Sequence, residues 1–471
     1  MEKLFEQWAN EPCLEKETVS AHGSARSYFR LKGANYGCVA AINGDVRENE
    51  AFFYYSDFFR KNGINVPEVY LISADRTTYL QQDLGDETLY GRLEKKRAGG
   101  IVFDEETESL YRRAIDGLVR MQKLGRQMNF SNAYPRAAFD RQSMLWDLNY
   151  FKYDFLKLAH VPFDEQSLED DFQCFADELS DCENSFFLYR DFQSRNIMLC
   201  GEKLYFIDYQ GGRQGAMYYD LASLLYDAKA EIPEEVRQRL AGYFYEASGL
   251  EKKQSINEFY TIFRKFVLLR IMQAMGAYGY RGLYEGKEHF VRSIKPALGN
   301  IDNLLKDSGL LSGYPEMRRV LNSLSQNEEL QSRVADVSKS TQLTVTVNSF
   351  SYKRGYPYDK TGNGGGFVFD CRALPNPGRY PQYRTFTGKD QPVIDFLQKE
   401  PEVDAFIQKA ADMVLASVRR YVKRGFASLQ VNFGCTGGQH RSVYCAEQMA
   451  KKITEQGICR VEVHHLEQEG R

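Results

Sequence analysis

"LYRDFQSRNIML" (188–199), followed closely by "LYFIDYQGG" (204–212), decides how this chain is read. Asp191 and Asn196 are separated by four residues, and Asp208 follows twelve residues later at the end of an apolar, strand-like run. Phosphoryl transfer to a hydroxyl needs a group to accept the hydroxyl proton. It also needs oxygen ligands for the magnesium that neutralises a triphosphate. An Asp, an Asn and a second Asp on adjacent strand ends meet both needs. The plainer alternative is that Asp191 and Asp208 cap turns. Three positions falling into register together favour the chemical reading.

Around this pair the chain changes character. Residues 20–83 read as short strands about one helix. "SYFRLKG" and "YGCVAAING" form a hairpin pattern, and "NEAFFYYSDFFRKNG" has helical spacing of aromatics, with Gly63 as its C-terminal stop. "VPEVYLI" and "TTYLQQDLG" read as two further strands. From about Asp86 the pattern turns helical: Leu110, Ala114, Leu118 and Met121 recur at helical intervals, Met144–Leu158 reads as a second amphipathic helix, and "EFYTIFRKFVLLRIMQAMGAYGYRGL" (258–283) as a third. The polar stretch from Asn322 to Thr341 reads as a linker or connecting helix. Beyond it come a strand-rich segment from "QLTVTVNSF", the helix "FIQKAADMVLASVRRYVKRG", and then strand, Gly-rich loop, helix and strand, an order that suggests a small α/β domain.

The composition sets bounds. At roughly 150 residues per domain, 471 residues suggest two to four domains. Hydrophobic residues make up 43%, enough for packed cores, and no apolar run approaches the roughly 18 residues of a membrane helix. No secretory pattern opens the sequence. Nine scattered cysteines without a Cys-x-x-Cys pair, and only six histidines, speak against a disulfide framework or a zinc centre and for a reducing cytoplasm. The net charge of −3 is unevenly spread: residues 342–471 hold 18 Lys+Arg against 13 Asp+Glu, a net of +5, leaving −8 on the rest. A basic block suggests an anionic ligand there, although chance variation of surface charge gives the same balance.

Over roughly residues 18–320 the chain resembles the aminoglycoside phosphotransferase/choline kinase group of protein-kinase-like enzymes. "YRDFQSRN" stands where that group has its catalytic loop, with Tyr189 in place of the usual His, and "IDYQGG" where it has its magnesium-binding Asp. The resemblance implies Asp191 as catalytic base with Arg190 beside it, Asn196 and Asp208 as magnesium ligands, and ATP and Mg2+ as cofactors. "HGSARSYFRL" (22–31) resembles the phosphate-covering loop, giving Gly23, Ser24, Ser27 and Arg30 as nucleotide-binding candidates. A plain hairpin turn fits the same residues. "GCVAAING" lacks the lysine most kinases place on this strand, so Arg30 or Lys32 is the expected substitute. "SYFRL" and "YYDLASLL" look similar to the bacterial anomeric kinases of N-acetylmuramate and N-acetylglucosamine, an amino-sugar, cell-wall-recycling branch. "TTYLQQDLG", ending at Gly85, looks like the hinge between lobes. In "AFDRQSMLWDLNYFKYDF" (138–155), Asp140 and Asp147 are candidates for sugar hydroxyls and Trp146 for a pyranose face. A solvated acidic face with a core Trp is the even alternative.

Residues 342–471 resemble the C-terminal domain of RapZ, an RNase adapter, through "NSFSYKRGYP", "FVFDCRALPNP", "FTGKD" and "GCTGGQHRSV", in the family's order. The expected anion site is Lys353, Arg354, Arg372, Thr436, Gly437, Gly438, His440, Arg441 and Ser442, where glycines let backbone N–H groups converge and Arg441 grips a phosphate. RNA binding and oligomerisation through this domain go with the resemblance. The spacing from Cys435 to Arg441 is also that of a cysteine phosphatase loop, with Asp370 or Asp390 as acid by elimination.

The expected architecture combines α/β and α+β parts: a bilobal protein-kinase-like fold (N-lobe 1–85, helical C-lobe 86–321), a linker 322–341, and a small α/β domain 342–471. The leading function is a cytoplasmic ATP-dependent amino-sugar kinase with a phosphosugar sensor. The alternatives are an RNA-binding regulator with an inactive kinase-like half, and an aminoglycoside or amino-alcohol kinase.

Overall fold

The computed structural model describes residues 1–19, 26–328, 330–331, 334, 343–359, 366–423 and 426–468. Gly23, Ser24 and half of the expected linker lie outside them. The chain divides into two compact units, Met1–Ala277 with Ser293–Asn327, and Tyr278–Arg292 with Glu328–Arg471.

The first unit opens with helix α1 (Glu2–Ala9) and strands β1 (Glu15–Val19), β2 (Ser27–Lys32) and β3 (Gly37–Ile42). Helix α2 (Val46–Lys61) precedes β4 (Val69–Ile72) and β5 (Thr78–Gln81). The five strands form one antiparallel sheet in the order β1-β2-β3-β5-β4. Its hairpin β2–β3 pairs Ser27 with Ile42, as the alternating sequence suggests. Asp45 caps α2 by accepting from the Glu48 N–H, and Gly63, at φ 71°, lets the chain leave it in the left-handed region.

Helices then dominate: α3 (Leu89–Ala98), α4 (Glu105–Leu124), α5 (Arg141–Phe151) and α6 (Glu165–Ser180). Four short strands follow, β6 (Phe186–Leu188), β7 (Ile197–Cys200), β8 (Lys203–Phe206) and β9 (Arg213–Gly215), and then α7 (Tyr218–Leu225), α8 (Glu234–Ser248), α9 (Ile256–Ala277), α10 (Glu288–Leu305) and α11 (Pro315–Leu324). The amphipathic run expected to continue to Leu158 ends as an α-helix at Phe151 and widens into a π-turn over Lys152–Leu156. There the Lys152 ammonium is buried against Glu165 at 2.9 Å and Glu169 at 2.8 Å. The expected linker boundary at 321/322 falls inside α11, because Asn322 and Ser323 are the outer face of a helix whose Val320, Leu321 and Leu324 are buried.

The second unit is built on β10 (Thr344–Ser351), β11 (Gly366–Asp370), β12 (Ser428–Cys435) and β13 (Arg460–His465), all parallel in the order β11-β12-β10-β13. Helices α12 (Gln391–Gln398), α13 (Pro401–Lys423) and α14 (Arg441–Thr454) complete it. Strand β12 reads as a nearly unbroken buried run, the pattern of a strand covered on both faces. Its core gathers Val345, Val347, Val431, Phe433, Tyr444 and Met449. Among the described residues no helix is long and apolar enough to cross a membrane.

Candidate functional site

The short β7–β8 hairpin explains the twelve-residue spacing. Ile197 pairs with Phe206, and the Ile207 N–H donates to the Asn196 carbonyl at 3.1 Å. This brings the residues flanking the hairpin together: Asn196 Nδ2 lies 3.4 Å from Asp208 Oδ2 and donates to the Asp191 carbonyl at 2.8 Å. Asp191 leads out of β6, and its side chain remains 48% exposed, open to an acceptor. Asp208 Oδ1 accepts from Gln210 Nε2 at 2.7 Å. Burial, and after it the like charge of Asp191, push the Asp208 carboxyl above its ordinary value. An acid held in that state is one a cation would favour ionised.

Two residues of this loop system, Arg190 at φ 84° and Asp208 at φ 70°, sit in the left-handed region without being glycine. Such backbone costs about 1–3 kcal/mol per residue and persists where surroundings over-determine it. The surroundings are identifiable. Asp220 of α7, fully buried, accepts from the N–H of Tyr189 at 2.7 Å and of Arg190 at 3.0 Å. Burial raises its carboxyl to about 7. The Tyr189 hydroxyl donates to the Ile207 carbonyl, so the residue standing in the usual His position bridges the two halves of the loop.

Arg190 does not turn toward Asp191. Its Nη1 and Nη2 reach Asp147 Oδ2 and Oδ1, each at 2.6 Å, and Nη1 also donates to the Tyr219 hydroxyl at 2.7 Å. This corrects two expectations. Arg190 positions the loop, and Asp147, its side chain 8% exposed, serves Arg190 with both oxygens and presents neither to a sugar. Asp140 is the N-cap of α5, accepting from the Ser143 N–H at 3.0 Å, and is paired with Arg136. Trp146 is half exposed, with the Arg136 guanidinium 4.8 Å from its ring centre. On the other side of Asp191, Arg270 of α9 places Nη2 3.6 Å from Asp191 Oδ1 while Nε donates to Ser223 Oγ at 2.8 Å.

In the N-terminal sheet Ser27 begins β2 and is exposed. The expectation that Arg30 meets phosphates is also corrected. Its fork is taken by Asp83, at 2.7 and 3.1 Å, and Asp86, at 2.8 and 3.3 Å, two carboxylates just beyond β5. Lys32 is exposed and 3.6 Å from Glu15.

The Gly-rich loop of the second unit joins β12 to α14. Gly438, at φ 65°, would place a Cβ 2.3 Å from Glu467 Cγ and 3.0 Å from the Ser351 nitrogen, so only glycine closes this turn. Its N–H donates to Cys435 Sγ at 3.2 Å, and Ser442 Oγ lies 3.1 Å from the same sulfur. Cys435 is therefore buried with its sulfur engaged inside the loop. Ser442 faces inward too, against the expectation that it contacts the anion. Arg441 Nη1 donates to the carbonyls of Arg372 at 2.7 Å and Leu374 at 2.9 Å, which ties α14 to the 371–374 turn, while its buried Nε has no partner among the described residues. A cysteine phosphatase would need that guanidinium on the substrate. His440 Nε2 lies 3.0 Å from the Tyr383 carbonyl, and Gln439 Nε2 donates to the Phe386 carbonyl at 2.8 Å. Thr436 and Gly437 are exposed. Lys353 is exposed, Arg354 pairs with Glu467 at 3.1 Å, and Arg372 pairs with Asp370 at 2.6 Å and stacks on Tyr352 at 4.0 Å.

Sequence reading missed Asp220, Tyr219, Gln210 and Arg270. "YYDLASLL" carried the first two, but nothing in its spacing tells which side chain faces a distant loop.

Comparison with known proteins bears on both units. Residues 343–469 match the RapZ C-terminal domain. A stretch of 136 residues is 39% identical to a nucleotide-binding protein of Acidobacterium capsulatum, covering 29% of this chain and 42% of that one. One of 133 residues is 41% identical to a nucleotide-binding protein of Xanthomonas campestris pv. campestris, covering 28% and 45%. The match thus spans less than half the length of these relatives. Among solved structures, an ethanolamine kinase of Plasmodium vivax is 12% identical with a TM-score of 0.44, covering 62% of this chain and 82% of that one. A thermostable mutant of an aminoglycoside phosphotransferase is 15% identical with a TM-score of 0.42, covering 66% and 99%. Residues 19–253 match the model of the phosphotransferase enzyme family. The chain accordingly carries a phosphotransferase-family domain over residues 19–253 and a RapZ C-terminal domain over residues 343–469.

Proposed function

We propose that the first unit is an ATP- and Mg2+-dependent kinase acting on a hydroxyl of an amino sugar of the N-acetylmuramate or N-acetylglucosamine class. The observation that carries the reading is the meeting of Asp191, Asn196 and Asp208 around one hairpin, with Asp191 open to solvent. Asp191 accepts the hydroxyl proton as the phosphoryl group departs from its nucleotide. Asp220 and Asn196 hold the Asp191 segment by its backbone, so the carboxylate keeps its direction. Asp208 and Asn196 would hold Mg2+, which when bound neutralises phosphate charge. Among the described residues no group of three His, Cys, Asp or Glu is arranged for a metal. One carboxylate and one amide still suit magnesium, which keeps waters and phosphate oxygens as its other ligands. The choice of an amino sugar rests on "SYFRL" and "YYDLASLL", and on the attached RapZ-like domain. Incubation with ATP, Mg2+ and a panel of amino sugars, followed by phosphorus NMR, is expected to give a sugar phosphate, acid-labile if the anomeric hydroxyl reacts. Absence of turnover on every sugar would overturn the acceptor assignment, and turnover on amino alcohols instead would replace it.

For the second unit we infer a phosphosugar site at the β12–α14 loop. The support is the exposure of Thr436 and Gly437 and the start of α14 without a side-chain cap. Arg441→Ala, which unties the start of α14 from the Arg372 and Leu374 carbonyls, is expected to weaken binding of an amino-sugar phosphate by about 10–100-fold, the scale of a lost charged hydrogen bond. Cys435→Ser, which keeps a small acceptor for the Gly438 N–H, should stay within about twofold of the parent. Calorimetric titration checks both. A phosphatase activity that disappears in the serine variant would sink this assignment.

A further inference from the structure

Strand β3 holds Cys38, Val39, Ala40 and Ala41 buried and offers no cation, and Arg30 is spent on Asp83 and Asp86. Another cation lies in the same corner. Arg26, immediately before β2, has its side chain only 2% exposed. Its Nη2 is 3.4 Å from Glu48 Oε2, in the first turn of α2. One turn further along α2, the Phe52 ring lies 5.8 Å from its guanidinium carbon. Phe52 in turn stacks on Tyr209, with centroids 5.4 Å apart at 14°. Tyr209 directly follows Asp208 and is pinned to α2 by its hydroxyl, 2.7 Å from Ser56 Oγ. Arg26, Glu48 and Asp208 are thus mounted on one aromatic stack. The Arg26 charge is also among those that pull the Asp208 carboxyl down against its burial.

Building a guanidinium into a buried place costs several kcal/mol unless charges around it repay the desolvation. Kinases of known mechanism spend that cost on a strand lysine paired with a helix glutamate beside the metal-binding Asp, because the cation must meet the nucleotide phosphates there. Here the helix glutamate and the Asp are present, and the cation comes from one strand earlier. Arginine brings a planar fork that meets two phosphate oxygens at once, where lysine offers a point charge. We propose that Arg26, anchored by Glu48, is the side chain that grips the nucleotide phosphates in this chain, in place of the absent strand lysine.

The proposal rests on the kinase reading above, and the test separates the two. Affinities for ATP and for adenosine are measured by calorimetry at matched magnesium, for the parent chain, Arg26→Ala and Arg26→Lys. The parent is expected to bind ATP well above adenosine. Arg26→Ala should lose about 10–100-fold of ATP affinity and leave adenosine affinity within twofold. Arg26→Lys should recover part of the loss, which a purely structural role would not produce with adenosine binding unchanged. If Arg26→Ala does not fold, Arg26→Lys carries the test, with a several-fold fall in the ATP-to-adenosine ratio expected. An unchanged ratio in the variants overturns the assignment of Arg26. A parent that does not distinguish ATP from adenosine overturns the kinase reading and the assignment with it.

Discussion

Asp191→Asn is expected to lower turnover by about 100-fold or more, the scale of losing a general base, with little change in the KM for ATP. The substitution removes the proposed proton acceptor while leaving the Asp191 carbonyl, which Asn196 and Gln193 hold, in place. Arg270, 3.6 Å away, would keep an oxygen acceptor opposite it, so the loop should stay folded. Release of ADP in the presence of the sugar acceptor is the direct measurement. Equal rates in parent and variant would remove Asp191 from its role and leave the cluster as a structural turn.

Asp147→Ala is the second large effect, and it acts on stability. The Arg190 guanidinium is 19% exposed and lies between Asp147, Tyr219 and the Phe139 ring. Removing the carboxylate leaves a largely buried cation without its main partner, which costs about 3–5 kcal/mol. Denaturant unfolding should show this as a lowered midpoint. Replacing both partners together, Asp147→Leu with Arg190→Met, should cost less than the sum of the two single changes, because no stranded charge remains. A single-variant loss under about 1 kcal/mol would mean that solvent reaches the pair and the clamp is not what holds Arg190 at its left-handed φ.

The same clamp shows where the sequence could and could not be read. Asp191, Asn196 and Asp208 were legible because a two-strand hairpin converts their spacing into proximity, and hairpins are local. The β12–loop–α14 turn was legible for the same reason. Asp147 was not, since an acid on an amphipathic helix has the same spacing whether it faces solvent or an arginine from a loop forty residues on. Arg30 and Arg26 lie four residues apart, a spacing that does not separate them, and only the positions of Asp83, Asp86 and Glu48 show what each guanidinium faces. Asp220 escaped because its partners are backbone N–H groups, which no side-chain pattern announces. The boundary at 321/322 failed because a polar helix face looks like a linker when its buried neighbours, Met317 and Val320, are read separately.

Strand order in the second unit has a consequence for how the chain is made. In the first unit's sheet, β1 pairs with β2, β2 with β3 and β4 with β5, each the next strand in sequence, and β3 waits only for β5, so those pairings form as synthesis proceeds. Strand β10 lies between β12 and β13: Thr344 pairs with Ser428 on one side and Arg460 on the other. Both partners leave the ribosome long after β10 does. Until then a segment carrying Val345, Val347 and Phe350 has neither edge covered, and loop-closure entropy must be met before any pairing rewards it. The second unit is therefore the slow-folding, aggregation-exposed part of the chain, and a nascent chain stalled before Arg460 would present β10 as an open edge for misassembly.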